Sequence, residues 1–398
     1  MRKSLLFLGL AAVLTLTACR TQTKPVTVVS RPPENNASGT RNQTFHPGKL
    51  ADMDTAIAAA IATNQIPGGV LWLERNGTSY YKAYGKRSVV PVTEPMTGDT
   101  LFDAASLTKV IATTPSVMKL VEQGKLEIDA PVARYLPAFA ANGKDAITVR
   151  HLMTHTSGLR PGLGAPSPWQ GYDKAIELAC AEKLKNPVGT VFEYSDINFI
   201  VLGELVRIAS GRPLNVFAEQ EIFGPLKMTD TRFLPPESLK PRIAPTEQVK
   251  DLGVLRGVVH DPTSRRMGGV AGHAGLFTTA SDLARYARFL LNGGELDGVR
   301  VLKPETVKLM TSVQSPAAVA SRRGLGWDID TGYSSLRGKW FPLGSYGHTG
   351  WTGTSIWIDP FSRTFVIFLS NRNHPTEAGS VRDLRKTLGT LAAEAVTM

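Results

Sequence analysis

Strand-like segments near both ends of the chain, separated by a long helical stretch, are the feature that most constrains the fold. Two such runs, residues 70–74 and 79–84, flank the dipeptide Asn76-Gly77. Both residues of this dipeptide tolerate positive φ, so the segment predicts an antiparallel hairpin with a tight turn. The other strand-like runs come late in the chain, at residues 275–278, 326–330, 354–359 and 364–369.

Helical patterns occupy much of the remaining chain. We expect helices at residues 51–63, at 281–291, where Ser281 is a suitable N-cap, and at about 381–395. The middle of the chain, approximately residues 110–266, is typical of helices joined by loops. Early strands, a helical middle and late strands together predict an α+β fold. In this fold an antiparallel β-sheet is flanked by helices, and the middle of the chain forms a mostly helical second lobe.

The N-terminus has the pattern of an export signal. Arg2 and Lys3 precede an apolar stretch at residues 5–16, which is too short to span a bilayer and is typical of a signal peptide. The stretch ends in Leu-Thr-Ala-Cys, which resembles a bacterial lipobox. We therefore expect cleavage before Cys19 and lipidation of that cysteine, with an ordinary signal peptide and a chance cysteine as the alternative.

The predicted order is a lipoprotein signal peptide at residues 1–18, a flexible tether at 19–46 and one folded domain at 47–398. We expect the protein in the cell envelope, anchored by its lipid to a membrane and facing the periplasm or the exterior.

Net charge and cysteine count narrow the possible partners. The formal net charge is +11, but the basic residues are scattered, so we interpret most of them as solvated surface and expect no nucleic-acid partner. The two cysteines are Cys19 and Cys180. If Cys19 carries lipid, no intramolecular disulfide is available. Cys180 lies in a helical pattern and is expected to be a small buried hydrophobic residue.

Ser106 and Lys109 form the first element of a candidate active site. Three residues apart on a helix, they share one face, where the lysine can help the serine hydroxyl to lose its proton. At a helix start, the N–H of Ser106 can also donate to a developing oxyanion. The same spacing recurs at Ser79/Lys82 and Ser116/Lys119. The former pair lies in a predicted strand and the latter inside a helix already begun, so Ser106 is the predicted nucleophile.

Tyr194 and Asp196 form the second element, at the start of an apolar run. A tyrosine near a lysine can act as a general base and later as a general acid. A tyrosine before a helix is more often a packing residue, but Tyr194 is the only tyrosine with Asp or Asn two positions later.

The third element is the small-residue segment His348-Thr349-Gly350-Trp351, which leads into a predicted strand. An edge strand of this kind lets a substrate lie alongside it, and the N–H of Trp351 is placed to be the second oxyanion donor. In isolation, a glycine-containing turn is the simpler interpretation.

Together the three elements resemble the Ser-x-x-Lys, Tyr-x-Asn and Lys-Thr-Gly set of penicillin-binding proteins and β-lactamases. The likeness is greatest to the Tyr-based branch, which holds class C β-lactamases, low-molecular-weight D-Ala-D-Ala carboxypeptidases and family VIII esterases. Residues 151–159, 272–279 and 324–327 also match this branch. The resemblance implies a serine hydrolase that works through an acyl-enzyme, with Ser106, Lys109 and Tyr194 as catalytic residues and no cofactor. We expect it to be a monomer.

Two departures from the family pattern bear on the substrate. His348 replaces the lysine of Lys-Thr-Gly, so the group expected to meet a substrate carboxylate is charged only part of the time near neutrality. Asp196 replaces the usual Asn. It can accept a hydrogen bond from Lys109 but cannot donate one to a substrate carbonyl, and its charge should keep Lys109 protonated and leave proton abstraction to Tyr194.

The expected substrate-binding residues are therefore Asp196, His348, Thr349, Gly350 and Trp351. The expected substrates are small molecules or peptides with an amide or ester bond, among them peptidoglycan stem peptides ending in D-Ala-D-Ala and β-lactams. A family VIII-type carboxylesterase and a non-catalytic penicillin-binding sensor are the open alternatives.

Two other kinds of hydrolase fit the sequence less well. His151 and His155 are four residues apart and could share a helix face, but no His-Glu-x-x-His is present, so we expect no metal site. The Gly-x-Ser-x-Gly pattern of α/β-hydrolases occurs nowhere in the chain.

Overall fold

The computed structural model describes residues 44–164, 168–332 and 336–396 of the 398-residue chain. Cys19, the predicted signal peptide and most of the predicted tether lie outside these residues. Phe45, which falls inside the predicted tether, is already part of the folded body. Its side chain is 1% exposed, and its backbone forms a bridge with Val396. The folded body therefore extends at least to this residue, and the two ends of the described chain meet.

Helices cover both faces of a large sheet. The α-helices of the described residues are α1 Pro47–Ala62, α2 Thr114–Glu122, α3 Val149–Met153, α4 Tyr172–Ala181, α5 Asp196–Ser210, α6 Leu214–Ala218, α7 Pro262–Arg266, α8 Ala280–Leu291, α9 Pro304–Thr311 and α10 Arg382–Glu394. Shorter π and 3-10 turns lie at Lys109–Thr113, Val132–Arg134, Pro137–Gly143, Glu219–Phe223 and Glu237–Arg242.

The strands are β1 Gly68–Arg75, β2 Thr78–Ser88, β3 Glu94–Pro95, β4 Phe102–Asp103, β5 Arg232–Phe233, β6 Gln248–Val249, β7 Gly253–Val254, β8 Leu276–Thr278, β9 Glu295–Leu296, β10 Val299–Arg300, β11 Arg322–Arg323, β12 Asp328–Asp330, β13 Tyr346–Thr349, β14 Ser355–Asp359 and β15 Thr364–Ser370. Eight of them form one sheet in the order β11-β12-β13-β14-β15-β1-β2-β3. A smaller sheet, β4-β8-β5, carries the segment before Ser106.

The sheet joins the early and late parts of the chain, as the sequence predicts. β1 and β2 pair antiparallel around Asn76 and Gly77, whose φ angles are 49° and 82°. On its other edge β1 pairs antiparallel with β15. The predicted hairpin and the predicted meeting of the termini in one sheet are both confirmed.

β1 is buried on both faces because it lies between two cores. Val70 and Trp72 pack into the larger core, which extends into the helical part of the molecule. Leu71 and Leu73 point to the opposite face and pack with residues of α1 and α10. This alternation is the two-residue period of a strand, and it fixes the register of β1 relative to both layers.

One local prediction is wrong. The N-cap of α8 is Thr279, whose Oγ1 accepts from the N–H of Asp282 at 3.2 Å, and Ser281 already lies inside the helix. Two small hydroxyl residues compete for this position, and the one at the strand end has the extended backbone that an N-cap needs. Among the described residues, no helix is long and apolar enough to cross a membrane.

Candidate active site

A strained turn presents Ser106 at a helix start. After β4, Ala105 adopts a φ of 47°, which is uncommon for a residue with a side chain. The turn is held by Asp103, whose Oδ1 accepts from the N–H of Ala105 at 2.8 Å, and by Thr108, whose Oγ1 donates to the carbonyl of Ala105 at 2.6 Å. Backbone strain of this kind persists only when the surroundings hold it, and here it aims a half-buried Ser106 outward.

Lys109 is fully buried among polar groups. Its Nζ donates to Ser106 Oγ at 3.0 Å and to the carbonyl of His273 at 3.0 Å, and it lies 2.7 Å from Asp196 Oδ1. Burial lowers the pKa of Lys109, but Asp196 and Tyr194 outweigh it and raise that pKa above its ordinary value. Lys109 is therefore an ammonium, and it cannot accept the proton of Ser106.

Tyr194 lies between Lys109 and two histidines. The Lys109 Nζ is 5.0 Å from the centroid of the Tyr194 ring. His155 stacks on this ring at 4.4 Å, and the His348 ring is centred 6.1 Å away. The structure thus brings Ser106, Lys109 and Tyr194 together, as the sequence predicts.

His155 has a structural role that the sequence did not reveal. Helix α3 ends at Met153, and His155 has a φ of 58°, so His151 and His155 do not share a helix face. The Nδ1 of His155 accepts from the N–H of Ser195 at 3.1 Å. Burial, Arg323 and Lys109 keep the pKa of His155 well below its ordinary value. A neutral His155 therefore supports both the Tyr194 ring and the backbone that follows it.

His348 differs from the expectation. Its side chain is 2% exposed, and it is not among the residues that line the cavity next to Ser106. Burial lowers the pKa of His348 well below its ordinary value, and the nearby cations Arg323 and Lys109 add to this effect. The ring is therefore neutral near pH 7 rather than partly charged, and the next three residues, Thr349, Gly350 and Trp351, are the ones that reach the cavity.

Gly350 allows this segment to lie against the serine turn. A Cβ on Gly350 would come within 2.5 Å of the carbonyl oxygen of Ala104. Thr352 and Thr354 donate from their hydroxyls to the carbonyls of Asp103 and Ala104, at 2.7 and 2.9 Å. These contacts bring the backbone of residues 350–354 beside the turn that carries Ser106, which is the arrangement that a two-donor oxyanion site requires.

Asp261 and His273 also belong to the site, and the sequence analysis did not identify them. The Nε2 of His273 lies 2.9 Å from Asp261 Oδ1, and that carboxylate caps α7 by accepting from the N–H of Ser264 at 2.6 Å. Burial raises the pKa of Asp261, but His273 and the Ser264 N–H outweigh it and hold that pKa well below its usual range. The helix-start signal Asp261-Pro262 in the sequence could have indicated the capping role.

Ser106 opens into a cavity of about 890 Å³. Most of the predicted site residues line this cavity, together with Asp261 and His273: Ser106, Tyr194, Asp196, Thr349, Gly350 and Trp351. Several basic residues line it too, namely Lys250, Arg265, Arg372, Arg382 and Arg385. Glu247, His260 and Glu377 line it as well. Among the described residues, two groups of three converge closely enough to suit a metal ion, and both lie on this cavity. They are Asp196/Asp261/His273 and Glu247/His260/Glu377.

The sequence model of the family described as Beta-lactamase matches residues 53–390. The chain belongs to the beta-lactamase family. A relative named putative D-alanyl-D-alanine carboxypeptidase from Escherichia coli (strain K12) is 31% identical over 411 residues, covering 94% of this chain and 92% of the relative. A relative named N-acetylmuramyl-L-alanine amidase from Bacillus subtilis (strain 168) is 34% identical over 368 residues, covering 83% and 82%.

The fold agrees with this family. The crystal structure of a penicillin-binding protein homologue from Caulobacter crescentus superimposes with a TM-score of 0.71 at 23% identity, covering 87% of this chain and 98% of the other. The predicted α+β fold, with an antiparallel sheet flanked by helices, is confirmed. The chain is a serine hydrolase of the beta-lactamase family.

Proposed function

We propose that the protein hydrolyses an amide bond in a peptidoglycan stem peptide through an acyl-enzyme on Ser106, in the manner of a D-Ala-D-Ala carboxypeptidase. The observation that carries the proposal is the charged Lys109 in contact with Ser106, Asp196 and Tyr194 together. Since the Lys109 ammonium cannot accept a proton, Tyr194, which hydrogen-bonds to Lys109, is the group assigned to take the proton from Ser106.

The chemical steps follow from this arrangement. The Oγ of Ser106 attacks the substrate carbonyl while its proton passes to the phenolate oxygen of Tyr194, and the N–H groups of Ser106 and Trp351 stabilise the oxyanion. The C–N bond then breaks, and Tyr194 returns the proton to the leaving amine. A water molecule, deprotonated by Tyr194, attacks the ester carbonyl; the acyl C–O bond then breaks, and Tyr194 returns the proton to the Oγ of Ser106.

Positive charge in the cavity supports a substrate with a free carboxylate. Arg372, Arg382 and Arg385 line the wall near residues 349–351. Arg385 donates to the carbonyls of Gly350 and Thr354, both at 2.7 Å, which holds a cation beside the predicted oxyanion segment. A C-terminal D-alanine carboxylate would gain from this field, whereas a neutral ester would not.

The amide that joins a muramyl group to L-alanine is the second candidate. The name of the Bacillus subtilis relative points to that bond, and the cavity volume of about 890 Å³ is large enough for a sugar-bearing peptide. The two candidates differ in which amide of the same polymer reaches Ser106.

The test compares four substrates with the wild-type protein and with Ser106→Ala. These are a D-Ala-D-Ala stem peptide, an N-acetylmuramyl peptide, nitrocefin and a p-nitrophenyl ester. We expect the highest kcat/KM on one of the two peptides, and a loss of about 10⁴-fold or more in Ser106→Ala. A highest value on the ester would identify an esterase. Stable labelling by a penicillin without turnover of any substrate would identify a sensor. Activity that survives in Ser106→Ala would refute the site.

We also propose that the protein acts as a monomer held in the cell envelope by a lipid on Cys19, because the N-terminal segment has the lipobox pattern. Growth with labelled palmitate should label the wild type and leave Cys19→Ala unlabelled. Sedimentation of the detergent-solubilised protein should give the mass of one chain.

A further inference from the structure

Four polar side chains converge on one point of the cavity wall, away from Lys109. We call Glu247, His260, Asn373 and Glu377 the rim cluster. The Nε2 of His260 lies 3.1 Å from Glu247 Oε2 and 3.4 Å from Glu377 Oε1. The amide nitrogen of Asn373 lies 3.2 Å from the same Nε2 and 3.3 Å from the same Oε1. Four contacts of nearly equal length therefore join these four groups.

These spacings match the first coordination shell of a small metal ion. Zinc binds histidine nitrogen and carboxylate oxygen at about 2.0 Å, so neighbouring ligand atoms of a tetrahedral site are about 3.3 Å apart. A bound ammonium needs acceptors at about 2.8 Å, which places neighbouring acceptors about 4.6 Å apart. The observed 3.1–3.4 Å fits the metal and is too short for an ammonium group.

The hydrogen bonds of the rim cluster crowd several groups around the single Nε2 of His260. An Nε2–H of His260 can satisfy one acceptor well, yet two carboxylates and an amide surround that nitrogen. Among the described residues, the ion pairs recorded for Glu247 and Glu377 are both to His260. The rim cluster thus concentrates negative charge around one ring nitrogen without a lysine or arginine at its centre.

Asn373 adds an independent observation. Its side chain is 0% exposed, and its Oδ1 is buried without a hydrogen-bond partner. The oxygen and nitrogen of an amide exchange places by a rotation of the amide plane, which would bring Oδ1 to the point now occupied by Nδ2, in contact with His260 and Glu377. The rim cluster would then present four electron-pair donors to its centre.

We propose that the rim cluster binds a divalent transition-metal ion of the zinc type through Glu247, His260, Glu377 and Asn373. Such an ion would join β6, the segment before α7 and the segment after β15 on one wall of the cavity. It would also organise Trp351, whose Nε1 donates to Glu377 Oε1 at 2.6 Å. The site is separate from Ser106 chemistry and does not depend on which amide the protein cleaves.

The experiment titrates the chelator-treated, purified full chain with Zn²⁺ in a calorimeter and with Co²⁺ in a visible spectrophotometer. We expect one ion per chain, and for Co²⁺ the intense visible absorption of a four-coordinate site. Glu377→Gln and His260→Gln should each weaken Zn²⁺ binding about 100-fold or more. Affinity should also fall with acid, because a metal ligand must lose its proton.

Asp196→Asn is the matched control, because it alters the other group of potential ligands on the same cavity. It should leave the affinity and the stoichiometry of Zn²⁺ unchanged. The proposal is overturned if the wild type binds no Zn²⁺, or if Asp196→Asn removes binding that Glu377→Gln preserves. Circular dichroism of each variant distinguishes a lost site from a lost fold, and Glu247→Gln supplies a second ligand variant if His260→Gln does not fold.

Discussion

Two groups of histidine and carboxylate side chains line the same cavity, and they differ in what supplies the positive charge. We call Lys109, Asp196, Asp261 and His273 the inner cluster. In the inner cluster the Lys109 ammonium lies 2.7 Å from Asp196 and donates to the carbonyl of His273. The rim cluster has similar ligand types, and the ion pairs recorded for its carboxylates involve only the histidine.

With the metal site proposed for the rim cluster, one family fold separates proton transfer from cation binding. The lysine of the inner cluster is covalently fixed and fully buried, so its charge stays aligned with Ser106 through the reaction. The rim cluster leaves its centre to a cation from solution. The same ligand types thus serve catalysis where the chain provides its own cation, and metal binding where it does not.

Replacing Lys109 with Met is the strongest way to break the comparison. Removal of the ammonium leaves Ser106 without its donor and should lower kcat by about 10³-fold or more, measured on the best peptide substrate. Asp196, Asp261 and His273 would then form an uncompensated group whose ligand atoms lie within 4.8 Å of one another. We therefore expect Lys109→Met to bind two Zn²⁺ ions where the wild type binds one.

A control with Lys82→Met, which removes an exposed lysine that pairs with Asp54, should leave kcat and metal stoichiometry unchanged. If Lys109→Met retains kcat, the assignment of the inner cluster is wrong. If Lys109→Met has a lowered kcat but still binds one Zn²⁺ ion, Lys109 is needed for catalysis but does not prevent metal binding by Asp196, Asp261 and His273.

Asp196→Asn removes the negative charge next to Lys109 while it keeps the size of the side chain almost unchanged. Asp196 is a main cause of the raised pKa of Lys109, and burial alone lowers that pKa. The alkaline limb of kcat should therefore lie at a lower pH in the variant than in the wild type. Loss of one charge-assisted interaction of about 2 kcal/mol corresponds to a decrease of about 30-fold in kcat at pH 7.

The same substitution has a consequence for stability. Since the pKa of Lys109 is raised in the folded protein, its contribution to the free energy of unfolding is complete below about pH 10.5 and is lost as the pH rises through the folded value. Denaturant titrations should show that the difference between wild type and Asp196→Asn disappears at high pH. A difference that stays constant would mean that the charge of Asp196 does not act on Lys109.

The parts that the sequence predicted are those set by short-range rules. The Asn76-Gly77 hairpin is a matter of two φ angles, and the pairing of Ser106 with Lys109 follows from their spacing at a helix start. Three pairs match Ser-x-x-Lys, and Ser106 was selected as the nucleophile because it alone is predicted to lie at the start of a helix. Tyr194 was found as the only tyrosine with Asp or Asn two positions later, family resemblance favoured a catalytic role over packing, and the structure places its ring near Lys109.

The parts that escaped prediction depend on long-range packing. His273 contacts Asp261 across a loop, and Glu247 meets Glu377 only because β6 and the segment after β15 lie on the same cavity wall. Hydrophobic periodicity in the sequence does not predict contacts between residues so far apart in the chain. The burial of His348 likewise depends on the neighbouring strands β12 and β14, which decide the face that this residue occupies.

Trp351 connects the two clusters and gives the finest test of the comparison. Its backbone follows Gly350 beside the serine turn, while its indole, with the residue 61% exposed, donates to Glu377. Trp351→Phe keeps the backbone N–H and an aromatic ring but removes this hydrogen bond. Because a partner that orients a metal ligand is worth about tenfold or more in affinity, Zn²⁺ should bind about tenfold more weakly to Trp351→Phe by calorimetry. Trp340→Phe removes a comparable indole contact to Glu394 and should not change Zn²⁺ affinity. Equal weakening in both variants would mean that Trp351 does not orient Glu377, and the rim cluster would then owe its geometry to His260 and Asn373 alone.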